Sequence, residues 1–260
     1  MNKVNPQLLI KTLKTKILGR KIIFFERVDS TNKMAWDLAD KGEREGTLIM
    51  AETQERGRGR LGRPWFSPEG GLWASLILRP SIKTSEVDKI TLMAGVSIAE
   101  SIREKYGLDA RLKWVNDVLI HGRKISGVLA ESSITGRKVN FVVLGIGVNV
   151  NIDLFPAELR EIATSLAMEL GKHVSISEFA LTLISKIEEN YLSLKKRGGS
   201  SKIINKWKKL SDTIGRTVEV SSNSEVYRGK AINLDENGFL ILKTASGELV
   251  RIATGTCRYL

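Results

Sequence analysis

Apolar residues recur at helical spacing in some stretches of the chain and alternate in others, and the switches between the two mark its elements. Leu9, Leu13 and Ile17 follow at i+4 spacing behind the cap-type Asn5 and Pro6, and Gly19 suits the position just past a helix. The spacing therefore predicts one helix running to about Gly19. KIIFFERV, from Lys21, reads as a strand. Asp29 to Asn32 offer cap-type residues to a helix that carries Met34, Ala35, Leu38 and Ala39 and ends near Gly42. TLIMAE and GLWASLILRP read as strands, and Glu86 to Tyr106 as a helix. RLKWVN, VLI, KISGVLAESS and VNFVVLGIGVNV are four further strands, with a hairpin about His121-Gly122-Arg123-Lys124. Helical spacing returns at 157–170, 177–197 and 200–210.

From Ile214 the texture becomes short β-rich runs, TVEV, EVYRGKAINL, FLILK and ELVRI, with turn signals at Asn237-Gly238 and Ser246-Gly247. The pattern predicts an α+β main domain over 1–210 and a small barrel-like β domain over 211–260. At about 50 residues the second is marginal alone and is expected to dock on the first. No internal repeat or low-complexity tract interrupts either.

The 260 residues carry 41 Lys+Arg against 29 Asp+Glu, a net charge of +12. Residues 211–260 hold equal numbers of each sign, so the whole surplus lies in 1–210. Such a surplus suits nucleic acid, an anionic membrane or an acidic partner. One short helix ahead of Lys21 leaves no room for a winged or helix-turn-helix reader, so no separate DNA-binding domain and no specific DNA binding are expected. Lysines dispersed among the first twenty residues argue against a signal peptide, and no run approaches the roughly 20 apolar residues that span a bilayer. Cys257 is the only cysteine and cannot form a bridge within the chain, so a cytoplasmic protein with an inert thiol is expected. The run Lys195 to Lys209 reads as a solvated helical face.

Residues 53–70 fit neither period. They contain six glycines or prolines and four arginines, Arg56, Arg58, Arg60 and Arg63, and unstructured loops of that length inside domains usually carry function. Gly57 to Gly62 matches the dinucleotide fingerprint G-x-G-x-x-G. Arg63-Pro64-Trp65-Phe66-Ser67-Pro68 then follows, however, and two prolines oppose the helix that fingerprint requires. A phosphate-binding P-loop fails as well, because Arg63-Pro64 stands where Lys-Ser/Thr is needed. Backbone freed by glycine and a cluster of guanidinium groups suit a polyanion, while a flexible solvated loop has the same composition. Trp65 suits stacking on a base and equally suits a core.

The stretch Gly57 to Ser67 resembles the signature loop of biotin protein ligases, and four other segments agree in order and spacing. Asp29-Ser-Thr-Asn32 is similar to that family's S-T-N motif, Lys113-Trp-Val-Asn-Asp117 to its K-W-P-N-D segment, Lys124-Ile-Ser-Gly-Val-Leu129 to K-x-x-G-I-L, and Gly145-Ile-Gly-Val-Asn149 to G-x-G-x-N. The resemblance runs from about Lys21 to the C-terminus, to the form of the family without an N-terminal DNA-binding domain. Val115 departs from the motif's proline, and Ala253 to Arg258 departs from the family's usual closing motif.

The resemblance implies an α+β fold: a central mixed β-sheet with flanking helices, class II synthetase-like, plus a C-terminal SH3-like β-barrel. It implies that biotin and ATP, with Mg²⁺, give biotinyl-5′-AMP, and that the biotinyl group then passes to a lysine of a biotin carboxyl carrier protein. Ser30, Thr31 and Asn32 match the stretch that binds the ureido head, and the same triplet also reads as a helix cap. Gln54, Gly57, Arg58, Gly59, Arg60 and Gly127 match the rest of the biotin site. Lys124 matches the lysine touching carboxylate and phosphate, against its plain reading as a hairpin-turn lysine. Arg58, Arg60 and Lys124 are the catalytic candidates. Trp65, Asn116, Asn149 and Arg258 join Arg58, Arg60 and Lys124 as nucleotide contacts, although asparagines in such turns often serve only as left-handed residues. The metal ligands stay unassigned, and a homodimer is the family-level expectation. A lipoate or octanoate ligase is the nearest enzymatic alternative, and a basic nucleic-acid-binding module the alternative of another class.

Overall fold

A computed structural model describes residues 3–222 and 225–260. The main sheet has seven strands: β1 (Lys21–Val28), β2 (Thr47–Gln54), β3 (Leu72–Leu78), β4 (Arg111–Lys113), β5 (Asp117–Ile120), β6 (Arg123–Thr135) and β7 (Lys138–Val148). Their order is β1-β2-β3-β7-β6-β5-β4, with β1 and β2 parallel and every other pair antiparallel. Helix α2 (Thr31–Asp40) packs on one face, where Ala35 and Ala39 meet Ile49, Ile77, Phe141 and Val143. Alternate residues of the same strands, Leu48, Met50, Leu76, Leu78 and Leu144, enter the larger core under α3 (Asp88–Tyr106) and α5 (Ile176–Leu194). This period of two is the alternation legible in the sequence, and it seals both faces of the middle strands.

Helix α1 (Pro6–Thr12) begins as expected, with the Asn5 side chain accepting from Leu8 N–H, but stops seven residues short of Gly19. The cause is tertiary. The buried Glu188 carboxylate on α5 takes the backbone N–H groups of Lys16, Ile17 and Leu18 at 2.6, 2.7 and 2.8 Å, which draws them out of a helix. RLKWVN is strand only over β4. Trp114 leaves the sheet because its N–H reaches Thr213 Oγ1 and its indole reaches Gly238 O. The helix expected over 157–170 is a single turn at Ala157–Leu159, an extended piece, and α4 (Leu166–Leu170), capped by Ser165. Lys124 breaks that helix by pairing its backbone with Ile162 and Thr164. Helix α6 (Gly199–Leu210) then leads to the second domain.

There, β8 (Thr217–Ser222), β9 (Glu225–Leu234), β10 (Leu240–Lys243), β11 (Leu249–Ile252) and β12 (Thr256–Tyr259) form an antiparallel sheet in the order β11-β10-β9-β8-β12. Strand β12 has no counterpart in the sequence reading, since Thr256 to Tyr259 is too short to show a period. It pairs with β8 and brings the preceding turn to the main domain. Among the described residues no helix is long and apolar enough to cross a membrane.

Candidate active site

One cavity of about 320 Å³ opens on the main sheet between the N-terminus of α2, the glycine-arginine loop, the β4–β7 strands, residues 155–163 and the turn before β12. Ser30, Thr31, Asn32, Gln54, Arg58, Gly59, Arg60, Trp65, Asn116, Lys124, Gly127 and Asn149 all line it. Of the residues singled out in the sequence, Gly57 and Arg258 do not. Gly57 is buried at the loop base, accepting from Trp65 N–H. Arg258 is exposed on β12 opposite Glu219, and it is Gly255, Thr256 and Cys257 that line the cavity instead.

The floor is a buried hydrogen-bond network. Gln54 Oε1 accepts from Thr31 N–H at 2.8 Å and from the Thr31 hydroxyl at 3.1 Å, while Gln54 Nε2 donates to Ser67 Oγ at 2.9 Å. Ser75 Oγ lies 2.8 Å from Thr31 Oγ1 and 2.7 Å from Asn32 Oδ1. Asn32 Nδ2 donates to Leu129 O and to Glu131 at 2.9 Å. The Asn32 amide is thus fully engaged with β3 and β6, so it orients its neighbours rather than offering free polar atoms. Ser30 is the N-cap residue of α2, yet its side chain makes no capping bond and, 2% exposed, faces the cavity. Gly145 is required here, because a Cβ on it would collide with Asn32 Oδ1.

The opposite end is cationic. Lys124 Nζ lies 2.6 Å from Asp117 Oδ1 and 5.0 Å from the centre of the Trp65 ring. Arg60 donates to Asn116 Oδ1 and Gly255 O, both at 3.3 Å, and to Thr254 Oγ1 at 2.5 Å; Arg63 donates to Thr256 Oγ1 at 3.0 Å. Burial lowers the proton affinity of Arg60, against the pull of Asp117 and Asp88, though a guanidinium stays charged at any ordinary pH. Arg58 is half-exposed and 3.9 Å from Glu131. Trp65 lies across Gly147, where a Cβ would come within 2.5 Å of its Nε1, and that buried Nε1 has no hydrogen-bond partner among the described residues. Asn149 is buried, with Nδ2 donating to Thr164 O at 3.0 Å. Neither Asn116 nor Asn149 has a positive φ, so the left-handed reading fails for both. Burial, which Lys113 opposes, pushes the Cys257 thiol up to about 11, keeping it protonated.

Asp117 is the only carboxylate lining the cavity among the described residues, and no cluster of three metal-ligating side chains occurs among them. That donor set fits Mg²⁺ carried in on phosphates, which needs one or two protein carboxylates. It does not fit a closed structural metal site. Sequence reasoning gave Asp117 no role although its motif was recognised. It missed Ser75, Thr254 and Thr256 because tertiary pairing, not local pattern, brings them to the site.

A buried polar floor beside converging cations is the arrangement that suits an enzyme acting on a neutral polar head joined to an anionic centre. Residues 24–149 match the biotin/lipoate A/B protein ligase family and residues 213–258 the biotin protein ligase C-terminal domain. The chain is 37% identical to the bifunctional ligase/repressor BirA of Bacillus subtilis, over 90% of this chain and 73% of that protein. It is 32% identical to the biotin–[acetyl-CoA-carboxylase] ligase of Paracoccus denitrificans, over 86% of this chain and 95% of that one. The structure of the Aquifex aeolicus biotin protein ligase in complex with biotin and ATP superposes with a TM-score of 0.82 at 31% identity, covering 93% of this chain and all of that one. The chain belongs to the biotin protein ligase family.

Proposed function

We propose that this chain joins biotin to ATP as biotinyl-5′-AMP and passes the biotinyl group to a lysine of a carrier protein of a biotin-dependent carboxylase. The observation that carries the reading is the pairing, in one cavity, of the Ser30–Thr31–Gln54 floor with Arg60 and Lys124. A ureido ring needs both acceptors and donors. The Thr31 hydroxyl proton is engaged within the floor, so its oxygen suits a ring N–H as an acceptor, while Ser30 Oγ–H and the second Gln54 Nε2 proton suit the ring carbonyl.

In the first step a carboxylate oxygen of biotin attacks the α-phosphorus of ATP and pyrophosphate leaves. Arg58, Arg60 and Lys124 offset the repulsion between the two anions and stabilise charge on the departing oxygens. Mg²⁺, when bound, neutralises phosphate charge, and Asp117 is the residue placed to help hold it. In the second step the carrier lysine's neutral amine attacks the acyl carbon, AMP leaves, and the lysine nitrogen loses its proton. Trp65 and Asn116 are the proposed adenine and nucleotide contacts. Residues 1–210 act as the catalytic domain, 211–260 as the module whose turn at 254–256 holds the loop arginines. A cytoplasmic location fits the single protonated thiol, and a homodimer fits the family.

The test is ATP–pyrophosphate exchange with biotin, with lipoate and with neither. Exchange is expected with biotin alone, because lipoate leaves the floor's polar groups unpaired. Equal exchange with both acids would reject biotin specificity.

A further inference from the structure

Lys124 follows a two-residue turn, His121-Gly122, in which both residues are left-handed, with φ of 49° and 78°. Its backbone is gripped from the far side: Lys124 N–H donates to Ile162 O at 2.7 Å, and Thr164 N–H donates to Lys124 O at 3.0 Å. What holds turn and segment together is Glu169 on α4. Its side chain is only 4% exposed, and its carboxylate accepts from Arg123 Nη2 at 2.8 Å and from Thr164 Oγ1 at 2.5 Å, and lies 2.9 Å from His121 Nδ1. Two of these partners, Arg123 and Thr164, immediately adjoin the Lys124–Ala163 bridge on its two sides. Glu169 itself does not line the cavity.

We propose that Glu169 is a positioning residue for the adenylation step, clamping Arg123 to Thr164 so that Lys124 is held at the cavity beside Asp117. Burial alone would raise the carboxyl's proton affinity; the bonds from Thr164 and His121 and the charge of Arg123 outweigh it and keep the group ionised. A buried carboxylate with three partners holds position because releasing any one leaves charge uncompensated. Lysine side chains are flexible, so an ammonium that must meet a moving charge depends on the backbone that carries it. The inference rests on the biotin-ligase reading for the reaction Lys124 serves.

The test compares the full-length wild type with Glu169→Ala, Glu169→Gln, Lys124→Ala and the double variant Glu169→Ala/Lys124→Ala in biotin-dependent pyrophosphate exchange, alongside thermal unfolding. Glu169→Ala should lower kcat about thirtyfold with the KM values for biotin and ATP within about twofold of wild type. Glu169→Gln keeps acceptors for Arg123 and Thr164 and should recover most of that loss. On the Lys124→Ala background the glutamate change should add less than about twofold, because the group it positions is gone. An undiminished loss on that background, or a folded Glu169→Ala enzyme within about twofold of wild type, overturns the proposal. A readout independent of activity is acetic-anhydride labelling followed by peptide mass spectrometry. Lys124 labelling should rise severalfold in Glu169→Ala while other lysines keep their rates, and unchanged Lys124 labelling overturns the proposal even if the wild type shows no exchange. Absence of exchange in the wild type defeats the biotin reading separately.

Discussion

The two ends of the cavity are built by different physics. At the floor, Thr31, Asn32, Gln54 and Ser75 are held by one another and by rigid strands, and Thr31, Asn32 and Ser75 are buried. At the cationic end, Arg58, Arg60 and Arg63 come from a loop and Lys124 from the start of β6, and they reach partners on three separate parts of the chain. A neutral head group gains specificity from fixed donors and acceptors whose mispairing is costly. A reaction centre whose charge moves from carboxylate to leaving pyrophosphate gains more from cations that strengthen their contacts as charge develops. The floor should therefore govern which acid binds, and the cations how fast it reacts.

Lys124→Ala is the sharpest way to break that division. It should slow adenylate formation about a hundredfold or more, roughly 3 kcal/mol, while the Kd for ATP shifts by no more than severalfold. Exchange within about threefold of wild type would remove Lys124 from the chemistry. Next in size is Gly145→Ala, whose new Cβ displaces the Asn32 amide and, through Ser75, Thr31. The KM for biotin should rise about tenfold, with the KM for ATP and kcat within about twofold, as measured by exchange at varied biotin. A fall in kcat at unchanged KM would show that the two ends are not separable.

How far each end was legible follows from the same difference. The loop's arginines and the S-T-N triplet are contiguous in sequence, so motif and spacing reach them, and the strands of the main sheet announce themselves by alternation. What the sequence hid is non-local. Ser75 sits in an ordinary strand pattern, and only the β3–β7 register, which sets it opposite Gly145, shows that its hydroxyl supports Asn32. The segment 157–170 reads as helix because its apolar spacing is helical; backbone pairing with Lys124 overrides that propensity. Arg258 was carried over by likeness of a closing motif, but it is exposed just past the cavity's edge, and Thr254 and Thr256 meet the loop arginines instead.

The smallest expected effect concerns charge outside the cavity. Residues 1–210 carry the entire surplus of 12 positive charges, and the exposed run of Lys195, Lys196, Arg197, Lys202 and Lys209 is part of it. If that surplus steers an acidic carrier domain to the mouth, the second step depends on long-range attraction between exposed groups, which salt screens over about 8 Å at physiological ionic strength. The first step depends on contacts within the cavity, at 2.5 to 3.3 Å for Arg60 and 2.6 Å for Lys124, and is screened far less. Raising salt from low to physiological strength should slow single-turnover transfer from preformed biotinyl-AMP about threefold, with pyrophosphate exchange nearly constant. Parallel responses would place the salt-sensitive charges inside the cavity and leave the surface surplus without a role in transfer, whereas tight, salt-sensitive binding to duplex DNA would assign it to nucleic acid.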